Sequence, residues 1–203
     1  AFEPDIIGIT ATTPFFHLAG ELAQGLKEKI KEVPVLIGGA HITALREEAF
    51  DSSFDYPSPA CGTKGGEKIY LFDYGFIGEA DASFPLFLQR HEKGEDISGI
   101  KGILFREKGN VRFTGEADPI YDMDSLPLPA RHLLKMDKYK IGTLQGIKNF
   151  APIMTVRGCP FRCIFCSTKV FGKRFRKRSP QLVAEEIKSI IEKYNIKHFI
   201  FLD

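Results

Sequence analysis

The chain has no tryptophan, three methionines, five histidines and four cysteines among 203 residues. It lacks any apolar stretch approaching the ~20 residues that span a bilayer, which excludes a transmembrane helix as a reading of the sequence. No positively charged start followed by an apolar core opens the chain, so no secretion signal is visible. It also lacks charge bias: 28 basic against 26 acidic side chains leave a formal net charge of +2. That balance gives no strong pull toward nucleic acid or an anionic membrane. With 43% hydrophobic and 27% charged residues, the composition is that of a soluble globular protein, expected in the cytoplasm, where thiols stay reduced.

What is present is concentrated. Three of the four cysteines fall within eight residues, Cys159-Pro-Phe-Arg-Cys163-Ile-Phe-Cys166, just after the apolar run Ala151 to Val156. Three thiolates this close can converge on one metal centre but cannot close it, because a tetrahedral zinc or a four-iron cluster takes four ligands. Burial as small hydrophobes is a poor account of cysteines spaced this way among Gly158, Pro160 and Arg162. Zinc would need a fourth ligand such as Cys61, His132 or His198, none of which stands in a paired-ligand motif. Disulfides are disfavoured by the tight spacing. An iron–sulfur site is the favoured reading, with an open coordination position at which a substrate or cofactor could bind.

The rest of the chain alternates strand and helix signals. Asp5 to Ala11 and Val33 to Ile37 are short β-branched runs, as buried parallel strands require. Between them, Thr13 and Pro14 suit a helix start, and Phe15, Leu18, Leu22, Leu26 and Ile30 recur at helical spacing as its expected core face. A short helix to Phe50 follows Gly38-Gly39-Ala40-His41. Residues 51–72, rich in Ser, Pro and Gly, read as a long loop or insertion containing a free Cys61. A strand at Tyr74 to Ile77, a helix to about His91 and a hairpin turning at Glu107-Lys108-Gly109 come next.

The expected organisation is an α/β domain over 1–113, a proline-rich linker over 114–150 and a second α/β unit over 151–203. In the second unit the strand Pro152 to Val156 delivers the chain to the cysteine loop. Ser179 and Pro180 then cap a helix with Leu182, Val183, Ile187, Ile190, Ile191 and Tyr194 on one face, and a strand over Lys197 to Leu202 follows. The abrupt ends suggest a fragment of a longer protein.

The spacing C-x3-C-x2-C, with Phe165 before the last cysteine, resembles the signature of the radical S-adenosylmethionine (SAM) superfamily. The resemblance implies that Cys159, Cys163 and Cys166 hold three irons of a 4Fe–4S cluster, and that the fourth iron chelates SAM. Reductive cleavage would then give methionine and a 5′-deoxyadenosyl radical. It further implies that Phe165 lies against the adenine, with plain packing as the alternative.

Ahead of the cysteines, Gly8-Ile-Thr10-Ala-Thr12, Gly38-Gly39-Ala-His41 and Phe76-Ile-Gly78-Glu79, with the connector Leu126-Pro-Leu-Pro-Ala-Arg-His132, resemble the cobalamin-binding domain often fused to such enzymes. The implied fold is a truncated flavodoxin-like parallel sheet followed by the first βα units of a partial β/α barrel. Thr10, Thr12, Gly38, Gly39, Gly78 and Glu79 would line the cobalamin. The Asp-x-His-x-x-Gly motif that supplies a lower axial histidine in some cobalamin proteins is absent, and His41 reads as a solvated histidine at a helix start rather than a cobalt ligand.

The implied activity is cobalamin-dependent radical chemistry, methyl transfer or a related reaction on a small-molecule substrate. An external one-electron donor such as flavodoxin or ferredoxin is expected. The alternative is an iron–sulfur electron-transfer or cobalamin-binding module without SAM chemistry. The run Lys173-Arg-Phe-Arg-Lys-Arg178 could face RNA but reads better as a solvated loop after the cluster. Glu79 and Asp203 sit at strand ends, where functional carboxylates often lie, though neither belongs to an acid–base pair.

Overall fold

The computed structural model describes residues 3–51, 61–64, 67–138, 149–166 and 170–203. It divides into two compact units, one of residues 1–119 with 165–171, the other of 120–164 with 172–203.

The first unit is built on a five-stranded sheet. Strand β1 (Ile7–Thr10) is followed by a 3-10 turn over Thr13–Phe15 and helix α1 (Phe16–Lys29). Strand β2 (Val35–Gly38) leads into α2 (Ala40–Leu45) and the single turn α3 (Glu47–Phe50). Next come an antiparallel pair, β3 (Cys61–Lys64) and β4 (Glu67–Tyr70), then β5 (Tyr74–Phe76), α4 (Ser83–Glu92), β6 (Ile103–Glu107) and β7 (Asn110–Phe113).

The strand order is β1-β2-β5-β6-β7, with β1, β2 and β5 parallel and β6 and β7 added antiparallel. Inside the sheet, between β1 and β5, β2 buries Val35, Leu36 and Ile37 to 2% exposure or less. A strand covered on both faces needs that continuous apolar run. The edge strand β1 alternates half-buried and exposed residues instead. The β6–β7 turn is made by Lys108 and Gly109, both at positive φ, the backbone a two-residue hairpin needs.

Two expectations are revised here. The helix start falls one residue early: Thr12, not Thr13, precedes the 3-10 turn, Pro14 lies in its first positions, and the α-helix proper begins at Phe16. More consequentially, α1 does not bury its leucine stripe. Its buried residues are Ala19, Gly20 and Ala23, while Phe15, Leu18 and Leu22 are 61%, 48% and 54% exposed. The small stripe lies one residue, about 100° of rotation, from the large one. Small side chains let the helix axis approach the sheet closely, with Phe16 and Leu26 filling the margins of the core.

The stretch 51–72 is not loop throughout, since it carries the β3–β4 hairpin. The Cys61 side chain and residues 52–60 lie outside the described residues.

The second unit begins with 3-10 turns at Met123–Ser125, Arg131–Leu133 and Met136–Lys138. Strand β8 (Phe150–Ile153) comes next, then β9 (Val156–Arg157), β10 (Arg176–Lys177), helix α5 (Pro180–Tyr194) and β11 (His198–Phe201). Strands β8 and β11 pair in parallel around α5, a βαβ unit. Ala151, Ile153, Ile190 and Ile196 form its core with Met136. The Ser179 hydroxyl accepts from the Leu182 amide at 3.4 Å and Pro180 occupies the first helical turn, as the sequence pattern requires. Asn195, at φ 51°, ends the helix in the left-handed conformation. Within the connector, residues 139–148 lie outside the described residues. Among the described residues no helix is long and apolar enough to cross a membrane.

Candidate functional site: a clasped cysteine loop and a strand-end rim

The cysteine loop leaves the sheet at the carboxyl end of β8 and is closed at its base. Strands β9 and β10 form a two-rung antiparallel ladder, Arg157 opposite Arg176 and Val156 opposite Lys177. Beyond the ladder, the Cys159 amide donates to the Gly172 carbonyl at 3.2 Å. Below it, the Arg178 amide donates to the Thr155 carbonyl at 2.9 Å.

Side chains reinforce the base. The Asp203 carboxylate, at the end of β11, accepts from the Thr155 amide and hydroxyl at 2.7 Å each and from the Val156 amide at 3.1 Å. Partial desolvation pushes this carboxyl up. The bonds from Thr155 and Val156 outweigh that and hold it below its ordinary value.

The basic run is solvated at Lys173, Arg174 and Lys177, as expected, and turned inward at Arg176 and Arg178. Arg176 is 4% exposed and donates to the Ile120 carbonyl at 2.7 Å. Arg178 is turned inward onto Glu186, and Arg174 lies over the Tyr121 ring at 4.3 Å. Three of its cations make intramolecular contacts.

Cys159, Cys163 and Cys166 are all free and exposed. Beside them Phe161, Ile164 and Phe165 are also exposed, Phe165 to 90%. Among the described residues no group of three His, Cys, Asp or Glu side chains is arranged to hold a metal ion. Thiolates repel one another, and it is the metal that gathers them. The donor set suits an iron–sulfur cluster, being three soft thiol ligands on one accessible loop.

The first unit carries a separate arrangement at the carboxyl ends of β1, β2 and β5. The loops after the strands are joined to one another. The Ala11 amide donates to the Gly38 carbonyl at 3.1 Å and the His41 amide to the Ala11 carbonyl at 3.3 Å. The Gly78 amide donates to the Thr43 hydroxyl at 3.0 Å.

Gly39 stands at φ +100°, and a Cβ there would lie 2.7 Å from both the Ala11 carbonyl oxygen and Thr10 Oγ1. Only glycine permits that approach. Thr10, Gly38, Gly39 and Gly78 are therefore brought onto one rim, with Thr12 exposed on the loop after β1 and Glu79 buried after β5. Thr43, which ties the second loop to the third, was not distinguishable in the sequence from any other helical threonine.

His41 is not the solvated histidine expected. It is 7% exposed, its Nδ1 is 3.1 Å from Thr13 Oγ1, and its ring centroid is 4.1 Å from that of Phe16. Burial lowers its pKa, which favours the neutral ring.

Residues 153–203 match the family model for the radical SAM superfamily. Over the whole chain, an uncharacterized methyltransferase of Pyrococcus horikoshii is 36% identical across 203 residues. An anaerobic magnesium-protoporphyrin IX monomethyl ester cyclase of Cereibacter sphaeroides is 26% identical across 204 residues, which cover 99% of this chain. The chain spans 40% of the first relative's length and 30% of the second's. Among solved structures, the cobalamin-dependent SAM radical enzyme OxsB, with aqua-cobalamin and SAM bound, superposes with a TM-score of 0.71 over 98% of this chain and 25% of its own. At 20% identity that likeness is one of fold, a mixed α/β architecture with a parallel sheet. The clasped C-x3-C-x2-C loop at the end of β8 lies within the segment that matches the radical SAM superfamily model.

Proposed function

We propose that this chain serves a cobalamin-dependent radical SAM enzyme that transfers a methyl group, or carries out related radical chemistry, on a small-molecule substrate. The observation that carries the proposal is the loop of three exposed thiols clasped at the carboxyl end of β8. In this reading Cys159, Cys163 and Cys166 ligate three irons of a 4Fe–4S cluster and leave the fourth for SAM. Phe165, exposed beside Cys166, is the platform for the adenine. When bound, the cluster supplies an electron to the SAM sulfonium and the cobalamin carries the methyl group. The chain's own part is to hold three ligands on a fixed loop base and leave one coordination position open.

The rim of the first unit is the proposed cobalamin site. Thr10, Thr12, Gly38, Gly39, Gly78 and Glu79 would face the corrin, and the glycine at 39 lets two backbones meet beneath a flat ligand. The cobalt would take no ligand from His41, which is 7% exposed and does not stand in an Asp-x-His-x-x-Gly motif. The domains would be a truncated flavodoxin-like unit over 1–113, a linker over 114–150 and the start of a partial barrel over 151–203. The expected reductant is a one-electron carrier such as flavodoxin or ferredoxin. The P. horikoshii methyltransferase favours methyl transfer over ring closure, being the more similar of the two relatives.

The test is a turnover assay on the full-length, cluster-reconstituted protein supplied with cobalamin, SAM and a chemical reductant. Formation of 5′-deoxyadenosine or S-adenosylhomocysteine above a cysteine-to-serine control supports the proposal. A protein that binds a cluster yet consumes no SAM would favour the electron-transfer reading.

A further inference from the structure

Glu186 lies on the inward face of α5, 1% exposed, among residues that the helical periodicity marks as apolar core. Its Oε1 is 2.7 Å from Arg131 Nη1, and its Oε2 meets Arg178 Nη1. Both arginines are nearly buried as well, with side chains 8% and 12% exposed. Each guanidinium holds a main-chain carbonyl in addition. Arg131 Nη2 donates to the Pro152 carbonyl at 2.8 Å, and Arg178 Nη1 to the Met154 carbonyl at 3.3 Å. Those carbonyls lie on the segment entering the cysteine loop. Arg178 lies on the segment leaving it, tied by its amide to Thr155.

A buried ion triad of this kind is a poor device for stability alone, because apolar side chains of the same volume commonly serve as well or better. What it supplies is geometry: one carboxylate orients two planar forks, and each fork fixes a carbonyl. Asp203 holds the adjacent residues, Thr155 and Val156, from the other side.

We propose that Glu186 is a positioning residue for the cysteine loop. Through Arg131 and Arg178 it sets the spacing of the loop's entering and leaving strands, and so the geometry in which the three thiolates meet the cluster. The inference rests on the reading of Cys159, Cys163 and Cys166 as cluster ligands. Groups that orient metal ligands from behind commonly change metal affinity by about 10–100-fold when removed.

The test compares the full-length wild type with Glu186→Gln, which keeps the shape and removes the charge. Asp73→Asn serves as a control. Asp73 pairs with Lys27 and accepts from the Val35 amide at 2.7 Å in the first unit, so its loss weakens the fold without touching the loop. Two quantities are read: the rate of iron loss to a chelator, and the electron paramagnetic resonance line shape of the reduced cluster with SAM.

Iron loss should rise about tenfold in Glu186→Gln, with an altered line shape, while Asp73→Asn keeps wild-type values of both. The inference fails if folded Glu186→Gln matches wild type, or if Asp73→Asn moves both readouts equally. Should Glu186→Gln not fold, Arg131→Lys carries the same test, because an ammonium cannot reproduce the fork that reaches Glu186 and Pro152 together. A wild type that takes up no iron–sulfur cluster would overturn the cysteine reading and this inference with it. A wild type with its cluster beside an indifferent Glu186→Gln would overturn this inference alone.

Discussion

Thr155 and Asp203 are joined by a pair of 2.7 Å hydrogen bonds, amide to one carboxylate oxygen and hydroxyl to the other. The pair ties the end of β11 to the turn between β8 and β9. The cysteine loop therefore leaves a backbone fixed on both sides.

The contact is pH-dependent with a definite sign. Because the folded-state pKa of Asp203 lies below its ordinary value of 3.8, its contribution is fully present above that value. It is lost as pH falls through the lower folded-state value. Asp203→Asn should show less acid destabilisation than wild type below about pH 4 and no difference in slope near neutrality. Urea midpoints measured across the acid range check this.

Gly39→Ala should damage the rim of the first unit. The new Cβ would lie 2.7 Å from the Ala11 carbonyl oxygen in a backbone conformation at φ +100°. A cost of about 2 kcal/mol or more is expected from strain and contact together. It should be accompanied by weaker cobalamin uptake, read by denaturant unfolding and by the absorbance of bound corrin. Gly38→Ala, where nothing lies within 4 Å of the added carbon, is the matched control for stability.

The exposed and buried stripes of α1 should separate cleanly. Leu22→Gln, at a side chain 54% exposed, should change stability by less than about 0.5 kcal/mol. Ala23→Leu, at a fully buried position, should cost about 1–3 kcal/mol by overpacking. Thermal unfolding of the two variants distinguishes this arrangement from one in which the leucine stripe is the core face.

These cases mark what the sequence could and could not disclose. The buried strand at Val35–Ile37, the Ser179-Pro180 helix start and the Lys108-Gly109 turn were legible, because each depends on local chemistry. The segment carrying the cysteine loop was legible through its C-x3-C-x2-C spacing, and it is the segment that matches the radical SAM family model. The core face of α1 was not, since two stripes competed and closeness to the sheet decided for the small one. The β3–β4 hairpin was hidden by turn-forming residues. Nor was the fate of the basic run visible, because Arg176 and Arg178 find their partners at Ile120 and Glu186, contacts that exist only in the folded chain.

Replacing the cysteines singly by serine should abolish or sharply reduce stable iron–sulfur uptake while leaving the apoprotein's unfolding free energy within about 0.5 kcal/mol of wild type. All three are exposed and free, so their removal opens no cavity. Iron and sulfide analysis after reconstitution, beside urea unfolding of the apoproteins, reads both quantities.

The account stands most directly on the open iron. Electron paramagnetic resonance of the reduced, reconstituted full-length protein, recorded with and without SAM, tests it in one comparison. The expected result is a 4Fe–4S signal that shifts when SAM is added and is lost in Cys159→Ser. A cluster signal indifferent to SAM, or a protein that binds zinc and no cluster, would contradict the account.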